Sequence, residues 1–493
     1  MRRTLLSVAV LSLLAGCAAL TPGPRESASA PPVTPCGQWL ASVDRAVADA
    51  GVADAAGTRV PGFRYLRVNR FIASFDEDAA RDPKRFEEWS SAARALDREG
   101  RALELRNLPP AALSALGEGE LAQAQARTEA CAAEEMRAAL VSPATRALAL
   151  RRARVPDDYV PANRALGLYP VTRLAFARGV EHWHDEALAA FASYSRGERA
   201  ASAAVRYGAA PGGSLSAAEV AKLIATHSTG PLGRLELPED QLDALFRAFA
   251  PVLEVDTEGD YDRIGAVSLE AGARARVDTA TPAVYRRLAY TRFGGEVLPQ
   301  LVYTAWFPER PRDSALDILA GKLDGAVFRV TLGRDGAPLI YDAIHPCGCY
   351  HMFFPTARLR PLPAKNPGDE WAFIPSTAPD ARPGERVILH LQSRTHYLTG
   401  ISISDAGAVR SYSILDEDRL RSLPEPGGNR RSLYGPDGLV AGSERIERFL
   451  FWPMGVPSAG TMRQWGHHAT AFLGKRHFDD ADLIAQRFER VAN

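Results

Sequence analysis

At Pro251 the apolar period of the chain changes, and no single repeating architecture accommodates both sides of the change. Upstream, apolar residues recur every three or four positions. Asp82-Pro83 opens a run in which Phe86, Trp89, Ala93 and Leu96 share one helix face, Ser142-Pro143 reads as an N-cap with proline at the first helical position, and Glu120 to Leu140 reads as a helix carrying Cys131. Leu237-Pro238-Glu239-Asp240 opens a last helix whose buried face is Leu242, Leu245, Phe246 and Phe249. Downstream the period becomes two. Leu298 to Phe307 suits a buried strand, and Val327–Leu332, Gly333-Arg334-Asp335-Gly336 and Pro338–Ala343 together read as a β-hairpin. The expected fold class is α+β: a mostly helical domain over residues 36–250, a β-rich mixed domain over 251–450, and a C-terminal segment, 451–493, whose helix Thr461–Leu473 packs on the β-rich domain.

A chain of 493 residues, 46% hydrophobic and 24% charged, is long enough and apolar enough for more than one core. Its 59 basic and 59 acidic residues leave no positive excess, so nucleic acid is not an expected partner. No glycine-rich phosphate loop follows a strand, so no nucleotide cofactor is expected. Nor is there a Gly-x-Ser-x-Gly elbow or a His-Glu-x-x-His helix to mark a hydrolase, and whether the chain is an enzyme stays open.

The N-terminus carries an address. Met1-Arg2-Arg3, the apolar run Thr4–Leu14 and the small residues Ala15-Gly16 before Cys17 read as a signal peptide over residues 1–16, too short to span a bilayer. The tetrad Leu14-Ala15-Gly16-Cys17 resembles the lipobox of bacterial lipoproteins. That resemblance implies lipidation of Cys17, a membrane as partner through the acyl chains, and, with alanine rather than aspartate at 18, residence on the periplasmic face of the outer membrane. Residues 17–35, rich in proline, alanine and serine, form a tether reaching between about 25 and about 55 Å. Protein partners are not specified by the sequence.

Export places the cysteines in an oxidising space. With Cys17 taken by lipid, Cys36, Cys131, Cys347 and Cys349 remain, and the simplest pairing joins Cys36 to Cys131.

The densest chemistry lies between Tyr341 and Pro355. Cys347, Cys349, His345 and His351 are donors that zinc or copper would take, joined by His390 and His396 from a strand expected over Arg386–Ile403. On a straight strand His345 and His351 would stand about 20 Å apart, so the chain has to turn, and Pro346 and Gly348 are the residues for it. The alternative use of Cys347-Gly348-Cys349 is a thiol–disulfide redox pair. A third reading is a non-enzymatic envelope or interaction protein with a structural thiol pair. The spacing matches neither the Cys-x-x-Cys-His of haem attachment nor the Cys-x-x-Cys of thioredoxins, so haem is not expected. Glu181 and His184 have di-iron helix spacing but lack a second motif, and His467 and His468 point about 100° apart on a helix.

Overall fold

The computed structural model describes residues 34–491 apart from 118, 199–202, 211–213, 229, 315, 379–384, 406 and 408, so Cys17, the signal segment and most of the tether lie outside it. The architecture is α+β.

The N-terminal helices are α1 (Pro35–Asp49), α2 (Pro83–Asn107), α3 (Leu121–Ala139) and α4 (Pro143–Arg152). Thr34 caps α1 by accepting from Gly37 N at 2.9 Å, and Asp82 caps α2 through Lys84 N at 2.9 Å. Between α1 and α2 runs a short hairpin, β1 (Thr58–Val60) and β2 (Phe63–Val68). Trp39, Leu40 and Val43 of α1, Leu66 of β2 and Phe86, Trp89 and Ala93 of α2 share one core with Cys131. A disulfide joins Cys36 on α1 to Cys131 on α3, with Cα atoms 4.8 Å apart. Burying charge here is offset by pairing: Arg67 Nη2 lies 2.7 Å from Glu104 and Nε 3.2 Å from Asp97, and Arg101 bridges Asp97 at 3.0 Å and Asp44 at 2.9 Å.

The remainder is built on one large sheet. In chain order its strands are β3 (Ala204–Ala209), β4 (Val252–Asp256), β7 (Ala283–Phe293), β8 (Glu296–Arg310), β9 (Gly321–Leu332), β10 (Pro338–Ile344), β11 (Met352–Pro355), β13 (Arg386–Leu391), β14 (Leu398–Ser404) and β15 (Arg410–Asp416). Its spatial order is β11-β10-β9-β8-β7-β15-β3-β4-β13-β14. Small pairings outside it are β5 (Ala266–Glu270) with β6 (Arg274–Asp278), and β12 (Leu359–Pro361) with the strand Phe488–Arg490. The meander β7 to β11 is antiparallel, while β15 runs parallel to both β7 and β3 and β13 runs parallel to β4.

Alternation along β8 shows how the sheet is covered. Leu301, Tyr303, Ala305 and Phe307 face a core shared with helices α5 (Tyr169–Ser195), α6 (Ala217–His227) and α7 (Glu239–Phe249), where Tyr303 OH donates to Phe246 O at 2.8 Å. Leu298, Val302 and Trp306 point the other way; Leu298 meets Leu483, Ile484 and Phe488, and Val302 meets Phe478, all from the C-terminal segment. Burial on both faces explains why the strand reads as one continuous apolar run.

The stretch 36–250 is mostly helical and also supplies β3, an inner strand of the main sheet, on which α5 to α7 pack. Two expectations change. Arg386–Ile403 is not one strand but the hairpin β13–β14, turning over residues 392–397 with positive φ at Arg394 and His396. Thr461–Leu473 forms no helix: Gly460, Gly466 and Gly474 hold φ of 81°, 95° and 88°, and the segment crosses the sheet as turns and isolated bridges before the short helix Leu483–Arg487.

The two halves are fastened by charge as well as apolar contact. Arg421, after β15, meets Asp54 through Nη2 at 2.7 Å and Nε at 2.9 Å, and its carbonyl accepts from Asn107 Nδ2 at 2.8 Å.

Candidate functional site

The connection from β10 to β11 is the turn that Pro346 and Gly348 imply. Ala343 pairs with Met352, and beyond that pair His345 N donates to Cys349 O at 3.0 Å and Gly348 N to His345 O at 2.8 Å. Gly348 has φ of 95°, and a Cβ there would lie 2.5 Å from Ala469 O, so only glycine fits. Tyr350 also takes positive φ, 63°. The C-terminal segment clamps the loop: Arg463 N donates to Pro346 O at 2.9 Å and Arg463 Nε to Cys347 O at 3.1 Å.

Cys347 and Cys349 are both unpaired; Cys347 is buried and Cys349 half-buried. Cys349, two positions along the loop, holds Cys347 below the usual thiol range against the effect of burial, and the His345 ring acts in the same direction. Cys349 is held far above that range by Cys347 and by burial, because losing its proton would place a second negative charge beside the first in a buried setting.

Behind the loop lies a chain of buried acids and imidazoles. His396, in the β13–β14 turn, stacks on Phe307 with ring centroids 3.8 Å apart and planes 3° apart. Its Nδ1 is 2.8 Å from Asp324 on β9, and its Nε2 is 3.3 Å from Asp262. The other oxygen of Asp324 is 3.6 Å from His345 Nδ1, and His345 Nε2 is 3.2 Å from the carbonyl of His396. Burial alone would raise Asp324, but His345 and His396 outweigh it and hold the carboxyl far below its usual range. Burial alone would lower His396, but Asp262 and Asp324 outweigh it and hold the imidazole above its ordinary value. Glu447, also buried, is raised to about 7 by burial, against Arg445 and Arg310.

The wall next to His345 is aromatic. Tyr397 OH donates to Tyr350 OH at 2.7 Å, and Arg310 Nη1 to Tyr397 OH at 2.9 Å. These tyrosines, His345 and His396 line an otherwise apolar cavity of about 20 Å³, room for a water but not for a metabolite.

The six candidate ligands are thus divided among three places. His345, Cys347 and Cys349 share the loop, with His396 joined to them through Asp324. His351 instead sits 3.0 Å from Asp342, which Arg329 also grips at 2.5 Å. His390 meets Glu254, its register partner on β4, at 3.3 Å and Asp256 at 3.2 Å, with Tyr194 stacked on it at 5.0 Å. Among the described residues, no group of three or more His, Cys, Asp or Glu side chains is arranged to hold a metal ion. His184 stacks on Phe373 at 4.0 Å while Glu181 is exposed, and His467 pairs with Asp158 at 3.0 Å.

Asp262, Asp324 and Glu447 are the groups that motif reading missed. Asp324 carried one faint signal, as the single carboxylate within the strand Gly321–Leu332, whereas Asp262 and Glu447 come from turns with no spacing relation to the cysteines. No protein-family model matches the chain, and neither the curated proteins nor the solved structures compared with it hold a match.

Proposed function

We propose that the protein is an exported, lipid-anchored envelope protein whose Cys347-Gly348-Cys349 loop exchanges electrons with disulfides. The observation that carries the redox reading is the placement of two unpaired thiols one residue apart on the loop that Gly348 turns and Arg463 clamps, with Cys347 shifted toward the thiolate by Cys349. The Cys36–Cys131 disulfide supports an oxidising compartment, in which an unpaired vicinal pair is the exception.

The chemistry follows from one shared proton. Transfer of that proton from Cys349 to Cys347 puts the charge on Cys349, the half-buried sulfur that an incoming disulfide RS–SR meets first. Cys349 attacks, forming the mixed disulfide and releasing RS⁻, which takes the proton now on Cys347. Cys347 then attacks the Cys349 sulfur, closing the 347–349 bond and releasing the second RS⁻. The dithiol loses two electrons and the disulfide substrate gains them. His345, fixed by Asp324, is the nearby group able to supply or accept a proton. The small cavity favours a substrate disulfide carried on a protein or peptide surface over one engulfed in a pocket.

The test uses the chain from residue 18 onward, which retains every described residue, equilibrated across glutathione redox buffers. The expected result is a reversible loss of both free thiols with a peptide cross-link between residues 347 and 349, abolished by Cys347→Ser. A free-thiol count unchanged across the series leaves the structural reading of the pair. Lipidation at Cys17 is read separately, from the mass of the mature N-terminal peptide.

A further inference from the structure

One stretch of the surface is apolar where a soluble body has no reason to be. The short helix Pro161–Leu166 turns through Leu168, at φ 49°, into α5, and the turn leaves Leu166, Leu168, Val171 and Leu174 at 61%, 64%, 66% and 66% exposure. Beside it, Phe449 and Leu450 on the short helix Arg448–Phe451 are 41% and 54% exposed. The two pieces are neighbours, since Phe451 packs edge-on against Phe176 of α5 at 5.1 Å. Isolated exposed leucines need no explanation, but a cluster from adjoining elements marks a contact surface.

The charges around the cluster say what it meets. Residues 161–180 contain three arginines, Arg164, Arg173 and Arg178, and no aspartate or glutamate. Arg164 is held by the carbonyls of Met454 at 2.8 Å and Gly474 at 2.6 Å, and Arg173 pairs with Asp369 at 3.0 Å, while Arg178 is exposed on the same helix. The acidic residues of α5 begin only at Glu181, past the apolar turns. An apolar helix start edged by cations is the pattern that lies flat at the boundary of an anionic bilayer. No helix among the described residues is long and apolar enough to cross a membrane, so the contact is one of surface seating.

We infer that the Leu166–Leu174 rim is a membrane-contact surface that seats the folded body on anionic phospholipid. The choice of a bilayer as the occupant rests on the lipid-anchored reading, since a tether of residues 17–35 keeps the body within about 55 Å of the membrane that holds Cys17. That effective concentration adds to the occupancy of a face that also binds the bilayer without the tether.

Flotation of the chain from residue 18 with vesicles of phosphatidylethanolamine and phosphatidylglycerol, against vesicles of phosphatidylcholine alone, tests this. That chain carries no acyl group, so the outcome is independent of whether Cys17 is lipidated. The expected result is co-flotation with the anionic vesicles and weaker flotation with the zwitterionic ones. Val171→Asp/Leu174→Asp lowers the partition by about tenfold or more, and Arg178→Glu lowers it on anionic vesicles only. Thermal melts confirm that both exposed-site variants keep the wild-type fold. Absence of flotation, or flotation untouched by both variants, overturns the proposal. So does a concentration-dependent dimer that Val171→Asp/Leu174→Asp abolishes while no vesicle binding is seen, which assigns the rim to a second copy.

Discussion

Asp324 Oδ2 lies 2.8 Å from His396 Nδ1, and neither side chain meets solvent. The pair is one link of the line Asp262, His396, Asp324, His345 that ends at the thiol loop. Its stability contribution has a definite pH window. His396 is raised, so its share is fully present below about pH 6.5 and is lost as pH climbs through the folded value. Asp324 is depressed, so its share is present above about pH 3.9 and is lost as pH falls through the folded value. Asp324→Asn is expected to cost about 3–5 kcal/mol near pH 5.5, by stranding an imidazolium, and less near pH 9. Urea unfolding at the two pH values measures both; equal losses would show that no ion pair is involved.

His351 and His468 behave in the opposite sense. Burial first, then neighbouring arginines, lower both to about 3, so each stays neutral in the fold while the unfolded chain takes up protons. Stability therefore declines as pH falls from about 6.5 toward about 3, by up to roughly 4 kcal/mol for each group. His468→Phe is expected to flatten this acid limb in a series of melting temperatures. A limb of unchanged slope would place the titration elsewhere.

Gly348→Ala meets both a positive φ and the Ala469 carbonyl 2.5 Å from the new Cβ. A loss of about 2–4 kcal/mol is expected, together with faster alkylation of Cys349 as the loop lifts from the C-terminal segment. Denaturant unfolding and alkylation rates give the two readouts.

Cys36→Ala/Cys131→Ala opens a loop closed over a sequence separation of 95. About 4–5 kcal/mol of stability is expected to go with it, chiefly through the freer unfolded chain. If the thiol pair is remote from this bond, its redox midpoint stays unchanged in the variant.

Features encoded locally were legible in the sequence. Asp82-Pro83 and Ser142-Pro143 mark helix starts because proline acts within one turn, joined at Asp82 by a capping carboxylate that Ser142 does not match with a capping bond, and the Gly333–Gly336 turn marks its hairpin as locally. The break in the β13–β14 hairpin was not legible, because it turns through Arg394 and His396, residues that seldom adopt positive φ and are held there by Asp262 and by the Phe307 ring. That turn is what moves His396 off the face it would share with His390. Trp465, Ala469 and Phe472 repeat at helical spacing, yet each has its own partner across the sheet or the loop, and glycines at 460, 466 and 474 break any continuous helix. The thiol pair was visible as a pair; the carboxylates that complete its surroundings come from separate turns and a strand interior, which spacing alone does not join.

The grip of Arg463 on the Pro346 and Cys347 carbonyls sets an order of assembly. A chain emerging N-terminus first presents Cys36 and Cys131 together long before Cys347 exists, and the residues that shut the second pair away are almost the last to appear. Until Arg463 and Ala469 arrive, Cys347 and Cys349 lack the contacts that shut them away, whereas Cys36 and Cys131 already have every residue of the helices that bring them together.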